Sequence, residues 1–521
     1  MAPRPKIVVI GAGIAGLSAA AKLYQSGQVE VCVLEASDRV GGRMHTARIG
    51  DTKVEFGAAW IHGTVKNPIF DLACDLQMLD KADINKRWVY GGSRVKPESR
   101  GMPIPYVDDE LLTEVWNVFY NLITESEDVA KMKSWNADVM KGASKMTVGD
   151  YLNHGFQSYL ASCASDKEEI TAAKCSLFTL FQERECNNIG CHSLYDVSLE
   201  EFGEYSYFEG SDHCPVPGGY DSILKAVQVQ FDINCIHFHH EVTQIIWTTS
   251  FETYSPKNSY PVKIFCSNGE SFDADHVILT VSLGVLKEKW SSLFTPTLPA
   301  CKINAIEKLG FGFVGKIVLE FEDRFWSTAE CSIPVLWEDR EVCKQDNDLN
   351  DVKYSKERQI LNSCSWLHRL YGFHTTRPGS NILLAWFRGN EALEIEKSSV
   401  QEVAEICLAT LKRCTSLKSL PRLLNVYVTH WATNPLTRGS YSFLSKEAKG
   451  RDFDCLASPL PHVSADNKGI PALQVMFAGE ATNRHYYGTV HGAYLTGIRE
   501  AERVLEYLCS NEKSFVCDKK F

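Results

Sequence analysis

The stretch Lys6-Ile7-Val8-Val9-Ile10-Gly11-Ala12-Gly13-Ile14-Ala15-Gly16 opens with an apolar, β-branched run, follows with glycines at positions one, three and six, and then turns helical. A strand-turn-helix of this kind lets backbone amides reach a pyrophosphate at a helix N-terminus, where about half a positive charge is focused. Gly11, Gly13, Ala15 and Gly16 are the candidate cofactor contacts in the turn. The helix is expected to close at Gly27. A second apolar strand, Val29 to Leu34, ends at Glu35. A carboxylate there is placed to accept from ribose hydroxyls, which favours adenosine without a 2′-phosphate.

A chain of 521 residues is too long for one core, so two or more domains are expected. The formal charge of −11 argues against nucleic acid as a partner and mildly favours cationic ligands. The 18 cysteines are scattered, with no C-x-x-C pair. The apolar N-terminal run is the nucleotide strand and not a signal peptide, and no apolar stretch reaches the roughly 18 residues of a membrane span. Reduced thiols in the cytosol or nucleus are the expectation. The last residues, Asp518-Lys519-Lys520-Phe521, are not an S-K-L type peroxisomal address.

No internal repeat or low-complexity tract occurs. Amphipathic helices are expected at Val400 to Cys414 and Gly492 to Leu508, and strands at His276 to Val281 and Val314 to Phe321. The polar segment Arg340 to Arg358 reads as a surface loop, and Glu125 to Lys145 as polar with room for a helix. A second glycine cluster, Glu35-Ala36-Ser37-Asp38-Arg39-Val40-Gly41-Gly42-Arg43, follows the first βαβ unit. Its glycines permit close backbone approach, and Arg43 can reach a phosphate or an isoalloxazine edge. A plain NAD site has no need of it, whereas FAD has a bulkier second half to guide.

These elements join several later ones: Phe56-Gly57-Ala58-Ala59-Trp60-Ile61-His62-Gly63, Gly315-Lys316-Ile317-Val318-Leu319-Glu320-Phe321, Arg438-Gly439-Ser440-Tyr441-Ser442, and Phe477-Ala478-Gly479-Glu480-Ala481-Thr482 continuing to His491-Gly492-Ala493. Together they make the chain resemble the flavin-dependent amine oxidases, and among them the animal polyamine oxidases, from about residue 5 to about residue 508. The resemblance implies an α/β fold: a Rossmann-like FAD-binding domain with an α+β substrate domain. The cofactor domain would be discontinuous, built from 1–82, 212–290 and 428–521, with the substrate domain in 83–211 and 291–427.

It also implies oxidation of spermine or N-acetylated spermine and spermidine, with dioxygen as acceptor and hydrogen peroxide as product. In the family, Gly57, Ala58, Trp60 and Val242 lie along FAD, and Glu480 holds its ribityl and diphosphate region. Thr489 and Val490 begin the last helix, whose positive end would face the flavin. Tyr441 matches one wall of the aromatic cage of monoamine oxidases. The opposite wall is Thr489 here, which suits a long, multiply charged amine. Ser440 and the absence of cysteine between Thr433 and Arg451 imply non-covalent FAD. Lys316 matches a lysine that holds a water against the flavin. An unpaired lysine in an apolar strand is otherwise costly, although its head could snorkel. His62, whose imidazole could hold an amine nitrogen or be a core histidine, matches the animal enzymes, where the plant ones carry Glu. Asp196 and Ser198 match positions near the substrate tail. Trp60, Trp337 and Trp386 are candidates for a tunnel lining. His237, His239 and His240 share a strand-like stretch, but Glu241-Val242 beside them matches an adenine-holding segment, so no metal is expected.

The competing readings are a monoamine oxidase, disfavoured by Ser440, Thr489 and the missing anchor, a histone-demethylase-type chromatin protein, disfavoured by the lack of a long helical insertion, and a non-catalytic FAD-binding module, disfavoured by Lys316. Phe202-Gly203-Glu204-Tyr205 leans towards the acetylpolyamine type, and Asn434-Pro435 with the C-terminal tail towards spermine oxidase. Gly488 and Val490 stand where relatives often carry hydroxyls. The expected partners are a small polyamine and dioxygen, with no nucleic acid, no membrane and a monomeric protein.

Overall fold

The computed structural model describes residues 3–81, 107–131, 146–211, 213–248, 260–326, 332–337, 364, 366–376, 379–415, 417–461 and 470–517. The loop expected at Arg340 to Arg358 and most of the segment to Lys145 lie outside these residues, as does the boundary expected after residue 82. In chain order the elements that matter here are β1 (Lys6–Ile10), α1 (Ile14–Ser26), β2 (Glu30–Leu34), α2 (Asp109–Lys131), α3 (Glu168–Ile189), β3 (Ile236–His237), β4 (His276–Leu279), β5 (Val314–Phe321), β6 (Ile382–Arg388), β7 (Leu423–Val428), β8 (Val475–Phe477) and α4 (Val490–Cys517).

The first sheet is parallel, in the order β8-β4-β1-β2-β3. Ile7, Val8 and Val9 at its centre have no exposed surface. A parallel strand covered on both faces must be apolar at every position, which is why the opening run does not alternate. Helix α1 begins at the glycine turn and stops at Gly27, whose φ of 65° is the left-handed cap that favours glycine. Helix α4 lies so close to α1 that a Cβ on Gly497 would stand 2.0 Å from the Ala15 carbonyl oxygen. The five strands come from the beginning, middle and end of the chain, so the cofactor-type sheet is assembled across more than 460 residues of sequence separation.

The second large sheet places β5 between β6 and β7, all antiparallel, with Gly372–Thr375 and Ser332–Pro334 beyond β6. Strand β5 spans the expected residues. Long-range side-chain bonds tie connecting segments far apart in the chain: the Trp431 indole donates to the Phe56 carbonyl at 2.9 Å, and Arg43 to the Ser440 carbonyl at 2.8 Å. The α/β architecture with an α+β second part is as expected. No helix among the described residues is long and apolar enough to cross a membrane.

Candidate functional site

A cavity of about 470 Å³ opens where the glycine turn, the second sheet and the start of α4 meet. At one end Gly13 caps α1 with φ −70°, and a Cβ there would meet nothing within 4 Å. At Gly11 the backbone has φ 100° and a Cβ would press on Thr280 Oγ1 at 2.6 Å. This is a bare N-terminus facing open space, built by glycines where side chains would fill it. Glu35 braces the turn: its carboxylate accepts from the Ala12 amide at 2.7 Å and from the Ser37 amide at 2.9 Å. Each carboxylate oxygen keeps further lone pairs for a ribose. Gly11, Gly13, Ala15, Glu35 and Val242 all line this end, with Ser37, His240 and Glu241.

Gly16 does not line the cavity. Its missing Cβ would lie 1.9 Å from the Gly11 carbonyl oxygen, so it serves the packing of α1 on β1. In the middle, Arg43 and Glu480 form an ion pair at 2.8 Å, and Glu480 also accepts from the Gly488 amide at 2.8 Å and from Ser442. Glu480 is buried, and these partners leave it fixed. The glycine cradle, the helix end and this charged pair fit a dinucleotide with a second, bulkier half.

At the far end the cavity is walled by Gly57, Ala58, Trp60, His62, Lys316, Trp386, Tyr441, Thr489 and Val490. Lys316 is only 5% exposed. Its Nζ donates to the Glu55 carbonyl at 2.7 Å and the Gly57 carbonyl at 2.6 Å. Burial lowers its pKa to about 8, against the pull of the nearby Glu55 carboxyl. The Glu55 carboxyl is itself raised by burial, opposed by the Tyr220 amide and by Lys316. Tyr441 is held by its hydroxyl, which donates to the Asn187 carbonyl, and its ring packs on Gly190, where a Cβ would meet it at 2.6 Å. Burial pushes its phenol pKa far up, so the ring stays neutral. The Thr489 hydroxyl is used within its own turn: it donates to the Tyr486 carbonyl at 2.7 Å and accepts from the Gly492 amide at 3.0 Å, capping α4. Ser440 bridges to Val314 through its hydroxyl, as donor at 2.7 Å and acceptor at 2.8 Å.

Besides Gly16, three expected placements are corrected. Asp196 and Ser198 do not line the cavity, whereas Val197 between them does. The Asp196 carboxylate accepts from the Ser193 amide at 3.1 Å and the Ser198 hydroxyl from the Glu201 amide at 3.3 Å, so both are spent on local turns. Trp337 is half-buried and packs against the core of the second sheet, away from the cavity, its indole donating to the Leu370 carbonyl at 2.8 Å. Residues that the sequence reading did not single out do line the cavity: Glu127 on α2, Glu185 and Asn187 on α3, His213 and Trp431. His213 stands edge-to-face with His62 at 5.0 Å. The strand pair Trp60–Ile61 with Cys214–Pro215 sets that neighbourhood, since His62 and His213 continue its antiparallel register.

A sequence profile of the family described as flavin containing amine oxidoreductase matches residues 14–505. The chain is 35% identical to the peroxisomal N(1)-acetyl-spermine/spermidine oxidase of Bos taurus, over 96% of this chain and 94% of that one. It is 30% identical to the probable polyamine oxidase 5 of Arabidopsis thaliana, covering 98% and 100%. Among solved structures, a putrescine oxidase redesigned in cofactor binding matches with a TM-score of 0.61 at 18% identity, covering 97% of this chain and 99% of that one, a likeness of fold.

Proposed function

The chain belongs to the flavin-containing amine oxidoreductase family, and from that premise we propose that it is a polyamine oxidase. It acts on spermine, N-acetylated spermine or N-acetylated spermidine, and releases a shorter polyamine, an aminoaldehyde and hydrogen peroxide. The cofactor is FAD; in this proposal it is bound without a covalent link, since Ser440 offers no thiol. When bound, the flavin supplies the two-electron acceptor for the carbon beside the amine nitrogen. One observation carries the substrate reading: the cavity that begins at the glycine turn ends on a buried lysine and also carries two wall carboxylates, Glu127 and Glu185. Carboxylates and aromatic rings along one cavity suit a polycation.

The chain's own residues divide the work. Gly11, Gly13 and Ala15 receive the pyrophosphate, Glu35 the ribose and Val242 the adenine. Arg43 and Glu480, locked to one another, hold the middle of the cofactor, and Gly57, Ala58, Trp60, Thr489 and Val490 flank its reactive half. His62, with His213 against its ring, orients the amine nitrogen beside Tyr441. Lys316, fixed by two carbonyls and with a pKa of about 8, can hold a water or exchange a proton near neutral pH. We divide the chain into a cofactor domain of 1–82, 212–290 and 428–521 and a substrate domain of 83–211 and 291–427. Dioxygen as acceptor, a monomeric state and a cytosolic or nuclear location complete the proposal; the bovine relative is named as peroxisomal.

The test is peroxide release by the purified yellow protein across spermine, spermidine, their acetylated forms and benzylamine. Turnover of one or more of the polyamines is expected. Activity on benzylamine alone, or a colourless protein, overturns the reading.

A further inference from the structure

We propose that Glu127, Tyr205, Tyr207 and Tyr487 form a second cation subsite at the rim of the cavity, which takes an ammonium of the substrate other than the one that reacts. The inference rests on the polyamine reading for the occupant of the cavity and goes beyond it by naming where a second charge is held. All four residues line the cavity. Tyr207 is 52% exposed, so the cluster stands at the solvent end, whereas the buried Lys316 marks the closed one.

The cluster is assembled from three separate parts of the chain. Helix α2 brings Glu127, the segment after the short turn Phe202–Glu204 brings Tyr205 and Tyr207, and the turn before α4 brings Tyr487. The Tyr207 hydroxyl donates to the Glu127 carboxylate at 3.0 Å. The Tyr205 ring stands edge-to-face with Tyr207 at 4.8 Å and with Tyr487 at 5.3 Å. Backbone bonds fix the tyrosine segment on both sides of Tyr207. The Ser206 amide donates to the His485 carbonyl at 2.8 Å, and the Glu209 carbonyl accepts from the Thr64 amide at 2.9 Å and the Val65 amide at 2.8 Å. Arg484 adds a two-bond ion pair with Glu204, at 2.7 and 2.9 Å. The rings and the carboxylate are therefore in position before a ligand arrives.

A phenol hydroxyl is a neutral donor, and a carboxylate can accept several bonds at once, so Tyr207 orients Glu127 without cancelling its charge. An ammonium is attracted both by such a carboxylate and by neighbouring aromatic rings, and both attractions grow where the rings exclude water. The arrangement selects an amine that carries a second cationic group over one that ends in a methyl group. Glu127 is the binding group, and Tyr207 is a positioning residue that acts through it.

The test uses the FAD-loaded protein, kept free of oxygen and titrated with decamethylenediamine or with decylamine, which differ only in the second ammonium. Binding is read from the flavin absorbance. The diamine is expected to bind roughly tenfold more tightly than the monoamine. Glu127→Gln should shrink that ratio to about threefold or less, and Tyr207→Phe should shrink it by a smaller factor, while decylamine binds all three proteins alike. Because Tyr207 acts through Glu127, the double variant should match Glu127→Gln. A ratio near unity in the wild type, equal weakening of both ligands in the variants, or additive losses in the double variant overturns the subsite. If spermine is oxidised while the two probes bind alike, the subsite fails and the polyamine reading stands. If the diamine is preferred as expected while no polyamine is oxidised, that reading fails and the subsite stands.

Discussion

Lys316 places a titratable amine where water is nearly excluded, and the two carbonyls that hold it do not fully compensate its charge. Its proton is bound less tightly in the folded protein, with a pKa of about 8, than in the open chain at 10.5. Between those values the unfolded chain carries more protons, so stability contributed at this site rises with pH from 8 towards 10.5 and the cost is full below 8. Lys316→Met should slow turnover strongly with flavin content unchanged. Relative to the variant, the wild type should gain on the order of 2–3 kcal/mol of unfolding free energy across that window. Equal pH dependence in denaturant titrations, or undiminished turnover, would refute the role. Thr489 gives a second test at this scale. Its hydroxyl accepts from the Gly492 amide, so Thr489→Val should lower unfolding stability by about 1 kcal/mol, and Thr489→Ser should restore it. If Ser restores stability but not KM, the methyl group also faces substrate. Residues such as Glu35, Arg43 and Glu480 were legible because each is tied to a glycine turn with its own local chemistry. Glu127 and Glu185 were not, because a helix sequence does not say which carboxylate faces a cavity closed by distant strands. Asp196 and Ser198 show the complementary failure: the segment was found, but local hydrogen bonds turn Val197 inward instead.

At the scale of elements, the turn between β1 and α1 separates two uses of glycine. Gly16 lets helix and strand touch, and any Cβ would stand 1.9 Å from the Gly11 carbonyl oxygen. Gly13 has an ordinary φ and open space beyond it. Gly16→Ala should therefore cost stability whether or not FAD is present, read as a lower Tm of the apoprotein. Gly13→Ala should leave the unfolding free energy of the apoprotein within about 0.5 kcal/mol of wild type but reduce flavin content, because its methyl group projects where the pyrophosphate approaches. The reverse pattern would mean that the two glycines have been assigned the wrong way round. The same contrast explains what could be read in advance. Strand β5 was predicted to the residue because its largely apolar, β-branched run is interrupted only by Lys316 and Glu320. Strand β3, two residues long, carries no pattern of its own and exists only because β2 offers it an edge. Periodicity alone started helix α4 at Gly492; it starts at Val490, where the resemblance put it, because Thr489 caps it.

The whole molecule adds a property that no single element holds. The molecule carries a formal charge of −11, and two carboxylates, Glu127 and Glu185, line the cavity beside the Arg43–Glu480 ion pair, so an approaching polyamine is expected to be attracted. A fully protonated tetraamine is drawn in by that field more strongly than its mono-acetylated form, which carries one charge fewer. Salt shortens the Debye length from about 30 Å at 0.01 M to about 10 Å at 0.1 M, so the attraction is screened before the cavity mouth is reached. Because steering acts on encounter, kcat/KM should fall by about an order of magnitude for spermine between low salt and roughly 0.5 M, and kcat should stay level. The slope against ionic strength should be shallower for N-acetylspermine and close to zero for an uncharged amine analogue. If all three slopes coincide, recognition is made by contacts inside the cavity, with the field of the molecule adding nothing, and the weight given to net charge in reading the substrate was misplaced. A slope present for spermine and abolished by Glu127→Gln with Glu185→Gln would instead assign the field to the two wall carboxylates and not to the molecule as a whole.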